Sequence, residues 1–456
     1  MMHAPLEELD GFLAAHPETE WFTLIVSDIN GVARGKVVRR HEMEAVYRYG
    51  RPLPSSILSL DIKGEDVPET GLVWDIGDMD CRAFPVAGSL KPCPWLEGTA
   101  QVLISFGTDC GLPMEPPDPR LKLQQVTDRF KANGMVPVVA IELEFYLLDK
   151  SAFAERGELV PARLQNGMPN EQTQVYGVAE LEAMRPFFDD IYHFADMQDL
   201  PAETAISEYA PGQFEITLRH RANALQAADE AIAFKRLIKA VADRHGMLAS
   251  FMAKPFSGLA GCGMHIHASI EDDGGRNLFA ADAPEGSPLL GQAIAGMRDT
   301  AADCMAIFAP NANSYRRYQS RSYAPVALNW GINNRTVTFR IPAGPAHTRH
   351  VEHRLCGADA NPYLATAAML GGMLHGMENR LDPGPQAPAN AYAGQNGDGV
   401  VADWGKALDS FAGSAFAGDC FGETFRRIYS TFKRMEMQTF MAEVSDIDRQ
   451  LYLRTV

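Results

Sequence analysis

The amino-acid sequence predicts an α+β fold in two domains, a β-rich first domain over residues 1–112 and a larger mixed domain over residues 113–456. Three observations carry that reading. The 456 residues exceed the roughly 250–300 at which a single hydrophobic core stops growing. Up to about Phe106 short apolar runs are broken by turn residues, whereas beyond it strand-like runs alternate with long helical stretches. Between the two lies Leu112–Arg120, LPMEPPDPR, whose prolines end the compact run.

Taken in order, Leu6, Leu9, Phe12 and Leu13 recur at helical spacing and predict a short amphipathic opening helix. Trp21–Val26 reads as a strand, and Asn30-Gly31 followed by Gly35-Lys36-Val37 predicts a hairpin into a second one. The G-x-x-x-G-K there is one residue short of a phosphate loop and lacks the following Ser or Thr, so it is set aside. Val136–Asp149, VPVVAIELEFYLLD, is almost continuously apolar and predicts a strand buried on both faces. Helices are expected over Ala222–His245, from Ser287-Pro288 to Phe308, and from Asn361-Pro362 to about Asn379. Pro383–Gly399, rich in Pro, Gly, Ala and Asn, reads as a surface loop, with helices from there to the C-terminus.

Composition narrows the function. Apolar residues make up 46% and charged residues 22%, a globular balance. A net charge of −17 without a basic run argues against nucleic acid or an anionic membrane surface as partner. The N-terminus lacks a signal-peptide pattern, and no apolar run approaches the ~20 residues of a membrane span. Seven scattered cysteines without C-x-x-C point to a reduced, cytoplasmic setting and away from structural zinc.

The chemistry is concentrated in a few runs. Glu142 and Glu144 stand one residue apart in the apolar strand, so they project to one face. Buried and unpaired, each would cost several kcal/mol; a raised pKa or a shared cation would relieve that. A strand end facing solvent is the plainer reading of an isolated E-x-E. Downstream, Glu208 and Glu215 bracket a Pro211-Gly212 turn, His265 and His267 share a strand face, Arg335 and Arg340 lie in a β-branched stretch, and Glu352 and Arg354 stand two apart. Each alone has a bland reading: solvated turn carboxylates, satisfied histidines, edge arginines, or one exposed strand face of opposite charges. Together, five carboxylates and one imidazole in strand-like apolar runs favour hard divalent cations, Mg²⁺ or Mn²⁺. Arginines beside such ions suit phosphoryl transfer.

The runs IELEFYLLD, EYAPGQFEI, KPFSGLAGCGMHIHASI, NSYRRYQSRSYAPV, NNRTVTFRIP and VEHRLCGADANPYL, in this order, resemble the successive motifs of the glutamine synthetase family. The resemblance extends from about Thr23 to the C-terminus. LPSSILSLDIKGEDVPETGLVWDIGDMD, EHRLCGADANPYL and the ending LYLRTV carry a narrower likeness to its gamma-glutamylpolyamine (gamma-glutamylputrescine) synthetase branch. The resemblance implies an N-terminal β-grasp domain and a catalytic domain with a curved antiparallel sheet and flanking helices. It also implies a dodecamer of two hexameric rings with active sites between subunits. By motif, Glu144, Glu208 and Glu215 would hold one metal, and Glu142, His265 and Glu352 a second, with two or more Mg²⁺ or Mn²⁺ per site. His267 and Ser269 would lie along ATP. Arg335 and Arg340 would steady the phosphoryl group, Arg340 also contacting the nucleotide, while Gly261, Arg317 and Arg354 would hold L-glutamate. The implied reaction phosphorylates the glutamate side chain, and an amine then displaces phosphate.

Departures from the ammonia-using pattern concern the amine. Leu53 stands in PLPSSI where those enzymes carry an aspartate, Tyr323 in RSYAP where they carry a glutamate, and Ala260 where they carry an asparagine. A site stripped of two carboxylates suits an alkyl amine better than ammonium, so Leu53 and Tyr323 are expected at the amine. Asp61, Glu65 and Asp78 are available for a second ammonium of a polyamine. His350 replaces an arginine near the nucleotide, and the surroundings of Tyr392, NAYAGQ, lack the pattern of an adenylylated tyrosine. The sequence thus predicts a glutamate–polyamine ligase. A hydrophobic monoamine is the first alternative; ammonia or a non-catalytic role fits less well.

Overall fold

The computed structural model describes residues 3–107, 111–392 and 399–456. Six strands form the first sheet: β1 (Trp21–Ser27), β2 (Ala33–Arg39), β3 (Arg51–Pro54), β4 (Asp80–Pro85), β5 (Lys91–Pro92) and β6 (Thr99–Phe106). Its order is β2-β1-β6-β4-β3, with β5 also on β6. The predicted hairpin is β1–β2, antiparallel, and Gly31 supplies the positive φ of 76° that its turn requires. The opening helix, Leu6–Ala15, lies where its spacing put it. Phe22, Leu24, Leu53, Val102 and Ile104 fill a small core under this sheet.

The second sheet contains β7 (Met135–Asp149), β8 (Ala202–Ser207), β9 (Gln213–Leu218), β10 (Met247–Ser250), β11 (Met264–Asp272), β12 (Trp330–Ile332), β13 (Phe339–Ile341) and β14 (Val351–His353). The order is β12-β13-β14-β11-β7-β9-β8, with β10 on the far half of β7. All pairings are antiparallel except β12–β13. The fold is therefore α+β, as the sequence predicts, with helices packed on the apolar face of a largely antiparallel sheet.

The helices fall at Ala224–Arg244, Pro288–Phe308 and Pro362–Glu378. Ile141, Leu143, Phe145 and Leu147 of β7 join Phe214, Ile216, Phe234 and Leu237 in one continuous core. The last two helices meet through glycines: a Cβ on Gly296 would lie 2.1 Å from Gly372 O. Only glycine permits that approach.

One expectation needs correcting here. Cys81 is disulfide-bonded, because cysteine spacing does not reveal which thiols meet in space; Cys93, Cys262, Cys304, Cys356 and Cys420 are free and buried. Cys110, and residues 393–398 of the Pro383–Gly399 loop, lie outside the described residues. Leu53 is fully buried in the first sheet's core, pointing inward on β3 between the less buried Pro52 and Pro54. Among the described residues, no helix is long and apolar enough to cross a membrane.

Candidate active site

Strand register builds the site. Antiparallel partners share a face, and the register sets Glu142 opposite His265, Glu144 opposite Glu215, His267 opposite Glu352, and Arg340 opposite Glu352. The period of two then places Glu142, Glu144, His265, His267, Ser269, Glu215, Glu352 and Arg340 on the sheet face away from the core. His265 is central, with Nδ1 3.2 Å from Glu142 Oε2 and 3.7 Å from Glu352 Oε1, and Nε2 3.9 Å from Glu144 Oε1. Ligand atoms of Glu142, His265 and Glu352 lie within 4.8 Å of one another, as do those of Glu144, Glu215 and His265. Glu208, just past β8, lies outside both groups but close enough for the charge of Glu144 to act on it.

Electrostatics divide these carboxylates. Burial opposes the charge on Glu352, yet Arg354 beside it, with both nearby histidines, holds its carboxyl down to about 2. Arg340 Nη1 donates to Glu352 Oε2 at 2.8 Å, and Arg354 Nη1 donates to Oε1. The exposed-strand reading of Glu352 and Arg354 is therefore wrong, since both are buried. Burial likewise opposes the charge on Glu142, but His267 and His265 hold its carboxyl well below the usual range. Burial and then repulsion from Glu142, Glu144 and Glu208 push Glu215 well up, and burial and Glu144 push Glu208 up to about 8. Burial and like-charge crowding thus oppose ionisation of Glu208 and Glu215, a penalty that a bound cation would relieve. An oxygen-rich set of this kind fits hard divalent cations.

The arginines retain capacity for an anion. The Nε atoms of Arg340 and Arg354 are buried without a partner, which is costly unless a ligand completes them. Arg335 lies in an exposed turn before β13 rather than in a strand; its charge acts on Glu208. Asn334-Arg335-Thr336 forms a turn because Asn334 Oδ1 accepts from Thr336 N and Oγ1, a local bond that the β-branched composition hides. Arg317 is buried and donates to the carbonyls of Leu355 and Arg354. Gly261 packs on it: a Cβ there would meet Arg317 Cγ at 3.0 Å.

On the rim, Tyr323 adopts a φ of 58° and stacks obliquely on Tyr209, ring centroids 5.1 Å apart. Their hydroxyls interact, which, with burial, raises Tyr209 to about 12. Tyr392 donates to Ala324 O at 3.0 Å, anchoring the loop that bears Tyr323. Asp61 accepts from Lys63 N and Glu65 N, and Asp78 from Ser56 Oγ, so both are engaged by nearby groups.

Several residues escape sequence reasoning. Gly263 N donates to Glu144 Oε2 at 2.7 Å, and Gln213 Nε2 donates to the same oxygen at 3.2 Å. His220 sits beside His267 and His350; burial and His267 lower both His220 and His350, the latter to about 4. Gly263 lies in the conspicuous GCGMHIH run, so a glycine two residues from His265 was the available signal. For His220 and Tyr209 the sequence offers none, because only the return of β9 beside β7 brings them near.

Residues 116–452 match the model for the glutamine synthetase catalytic domain. Gamma-glutamylputrescine synthetase PuuA of Escherichia coli K12 is 38% identical over 98% of this chain and 94% of its own. The glutamate–isopropylamine ligase of a Pseudomonas species is 31% identical over 93% of both chains. Gamma-glutamylethanolamide synthetase GlnA4 of Streptomyces coelicolor is also 31% identical, over 97% of this chain and 94% of its own. Among solved structures, one titled as a GmaS/ADP complex superposes with a TM-score of 0.85 at 26% identity, covering 98% of this chain and 99% of that one.

Proposed function

The chain belongs to the glutamine synthetase family, and on that premise we propose that it joins the gamma-carboxylate of L-glutamate to a primary amine at the expense of ATP. The observation that carries this is the carboxylate row flanked by Arg340 and Arg354, each with an unpartnered buried N–H. Enzymes of this family use ATP with divalent cations. In this chain Glu142, His265 and Glu352 would hold one cation, and Glu144 and Glu215, with Glu208 at the rim, another, either Mg²⁺ or Mn²⁺. Bound there, the cations supply charge neutralisation for the phosphates.

The protein's own groups then have definable tasks. Arg340, with Arg335 at the rim, steadies the phosphoryl group as it passes from ATP to the glutamate oxygen, where charge spreads over three oxygens. His267 and Ser269 lie along the nucleotide. Gly261 and Arg354 hold glutamate, with Arg317 fixing the backbone on which Arg354 rides. The amine nitrogen attacks the acyl phosphate carbonyl, gives up a proton, and phosphate leaves.

For the amine we favour putrescine or another polyamine, because the relative named for putrescine shares 38% identity against 31% for those named for isopropylamine and ethanolamine. The Tyr209–Tyr323 pair supports an organic amine, since aromatic faces accept both alkyl chains and ammonium groups. The same reading includes an N-terminal β-grasp domain ending near residue 112, a cytoplasmic enzyme, and a dodecamer of two hexameric rings with sites between subunits. Phosphate release from ATP and L-glutamate, compared across ammonium, putrescine, spermidine and matched monoamines, tests it. Putrescine or spermidine should lead; monoamines in front would reassign the amine, and no amine-dependent release would refute a ligase.

A further inference from the structure

Beside the carboxylate row, three imidazoles from separate segments converge. His267 lies on β11, His220 follows β9 and His350 precedes β14. A ring nitrogen of each lies within 4.8 Å of one from each of the others. His267 is buried, His350 partly buried and His220 exposed, so solution reaches the trio from one side.

The outer contacts of two rings determine where their lone pairs can point. His350 Nδ1 is 2.7 Å from Thr348 O; a carbonyl only accepts, so the proton sits on Nδ1 and Nε2 carries the lone pair a metal would take, accepting here from His267 Nδ1. That Nε2 faces His267 Nδ1 at 3.1 Å. On its other side His267 Nε2 stands 3.0 Å from Glu142 Oε1, off line for a hydrogen bond as it stands. A proton on His267 Nε2, turned to Glu142, would free its Nδ1 as well. Metal-binding histidines are oriented this way, the outer nitrogen held by a carbonyl or carboxylate. Nitrogens 3.1 Å apart can share an ion at the roughly 2.0–2.1 Å of a zinc–imidazole bond, subtending about 100°.

We propose that His220, His267 and His350 form a cation site separate in kind from the glutamate row, selective for borderline transition ions such as Zn²⁺, Ni²⁺, Co²⁺ or Cu²⁺. Imidazole sets take these ions, while Mg²⁺ and Mn²⁺ prefer the neighbouring oxygens. His267 belongs to both environments. An ion on the trio draws His267 away from the nucleotide and so inhibits. That consequence rests on the proposed ligase activity; the site itself does not.

The test uses the full chain, stripped of metal and then held in excess Mg²⁺. Zn²⁺ is titrated against a chromophoric chelator, and Cu²⁺ is followed by electron paramagnetic resonance. Wild type should bind one tight Zn²⁺ and show nitrogen hyperfine coupling on Cu²⁺. His220→Asn and His350→Asn should each weaken Zn²⁺ by at least about tenfold, while Glu215→Gln should not. His220→Asn should keep Mg²⁺-dependent turnover and lose its sensitivity to Zn²⁺. Because His220 is exposed, its replacement leaves folding intact, which a thermal melt in Mg²⁺ checks. Equal Zn²⁺ affinity in wild type and both histidine variants, or Cu²⁺ without nitrogen coupling, would sink the site. Zn²⁺ binding that depends on His220 without slowing wild-type turnover would sink the inhibitory role alone.

Discussion

Glu352 and Glu208 are two carboxylates of one site under opposite stress. Glu352 is buried between Arg340 and Arg354, and removing its charge leaves the buried Arg354 and the partly buried Arg340 without their carboxylate. Glu352→Gln should therefore cost about 3–5 kcal/mol, read from urea denaturation in EDTA, as well as nearly all turnover. Glu208 behaves in the opposite sense. Burial and Glu144 raise it to about 8 from an ordinary 4.5, so between those pH values the folded chain binds more protons than the unfolded chain. Stability then falls as pH rises through that window. In EDTA the melting temperature should decline from pH 4.5 to 8, and excess Mg²⁺ should flatten the decline by displacing the protons. A melting temperature that rises with pH in EDTA would mean that the carboxylates are not crowded as the structure places them. Glu215, pushed in the same direction, strengthens the effect.

At the scale of elements, alternation along strands is what made most of the site legible. Glu142 and Glu144, His265 and His267, and Glu352 and Arg340 all reach one face because β7, β11, β13 and β14 pair in register. The ends of elements were less legible. Arg335 fell in a turn held by Asn334, since a motif position does not fix where a strand stops. His220 and Tyr209 were invisible because their neighbours come from distant segments. Gly263 illustrates how an element end controls chemistry. A Cβ there would lie 2.8 Å from His265 Nε2, 2.9 Å from Arg317 Nη2 and 3.2 Å from Glu144 Oε1. All three are side-chain ends that can yield, so Gly263→Ala should fold yet lose about 10²-fold in turnover through misplaced groups. Gly376→Ala is the contrast: its Cβ would stand 2.0 Å from the backbone Gln292 O, and overpacking there should cost about 1–3 kcal/mol. Melting curves beside turnover numbers separate the two; a destabilised Gly263→Ala with normal turnover would contradict this account.

For the whole molecule, the C-terminal end presents the clearest mismatch between surface and solvent. The helix Glu423–Ala442 buries Phe425, Ile428, Tyr429 and Phe432, but at its last turn and beyond it the apolar side chains face outward. Met441 is 74% and Leu453 76% exposed, and Val444, Ile447, Leu451 and Tyr452 are exposed too. Large exposed apolar surface of this kind can mark a contact, and with a net charge of −17 unspecific self-association is opposed by repulsion. Another copy of the chain is the occupant that the proposed dodecamer calls for. Deleting residues 441–456 should then reduce the particle seen by sedimentation velocity from a large ring assembly to a smaller species. Those residues contribute no group to the carboxylate row, so any loss of turnover must come through assembly. If sites are shared between subunits, turnover should fall with particle size and recover at high protein concentration, as mass action requires. A truncated chain that sediments like wild type would remove this tail as the contact. A small species with undiminished turnover would show that each chain carries a complete site of its own.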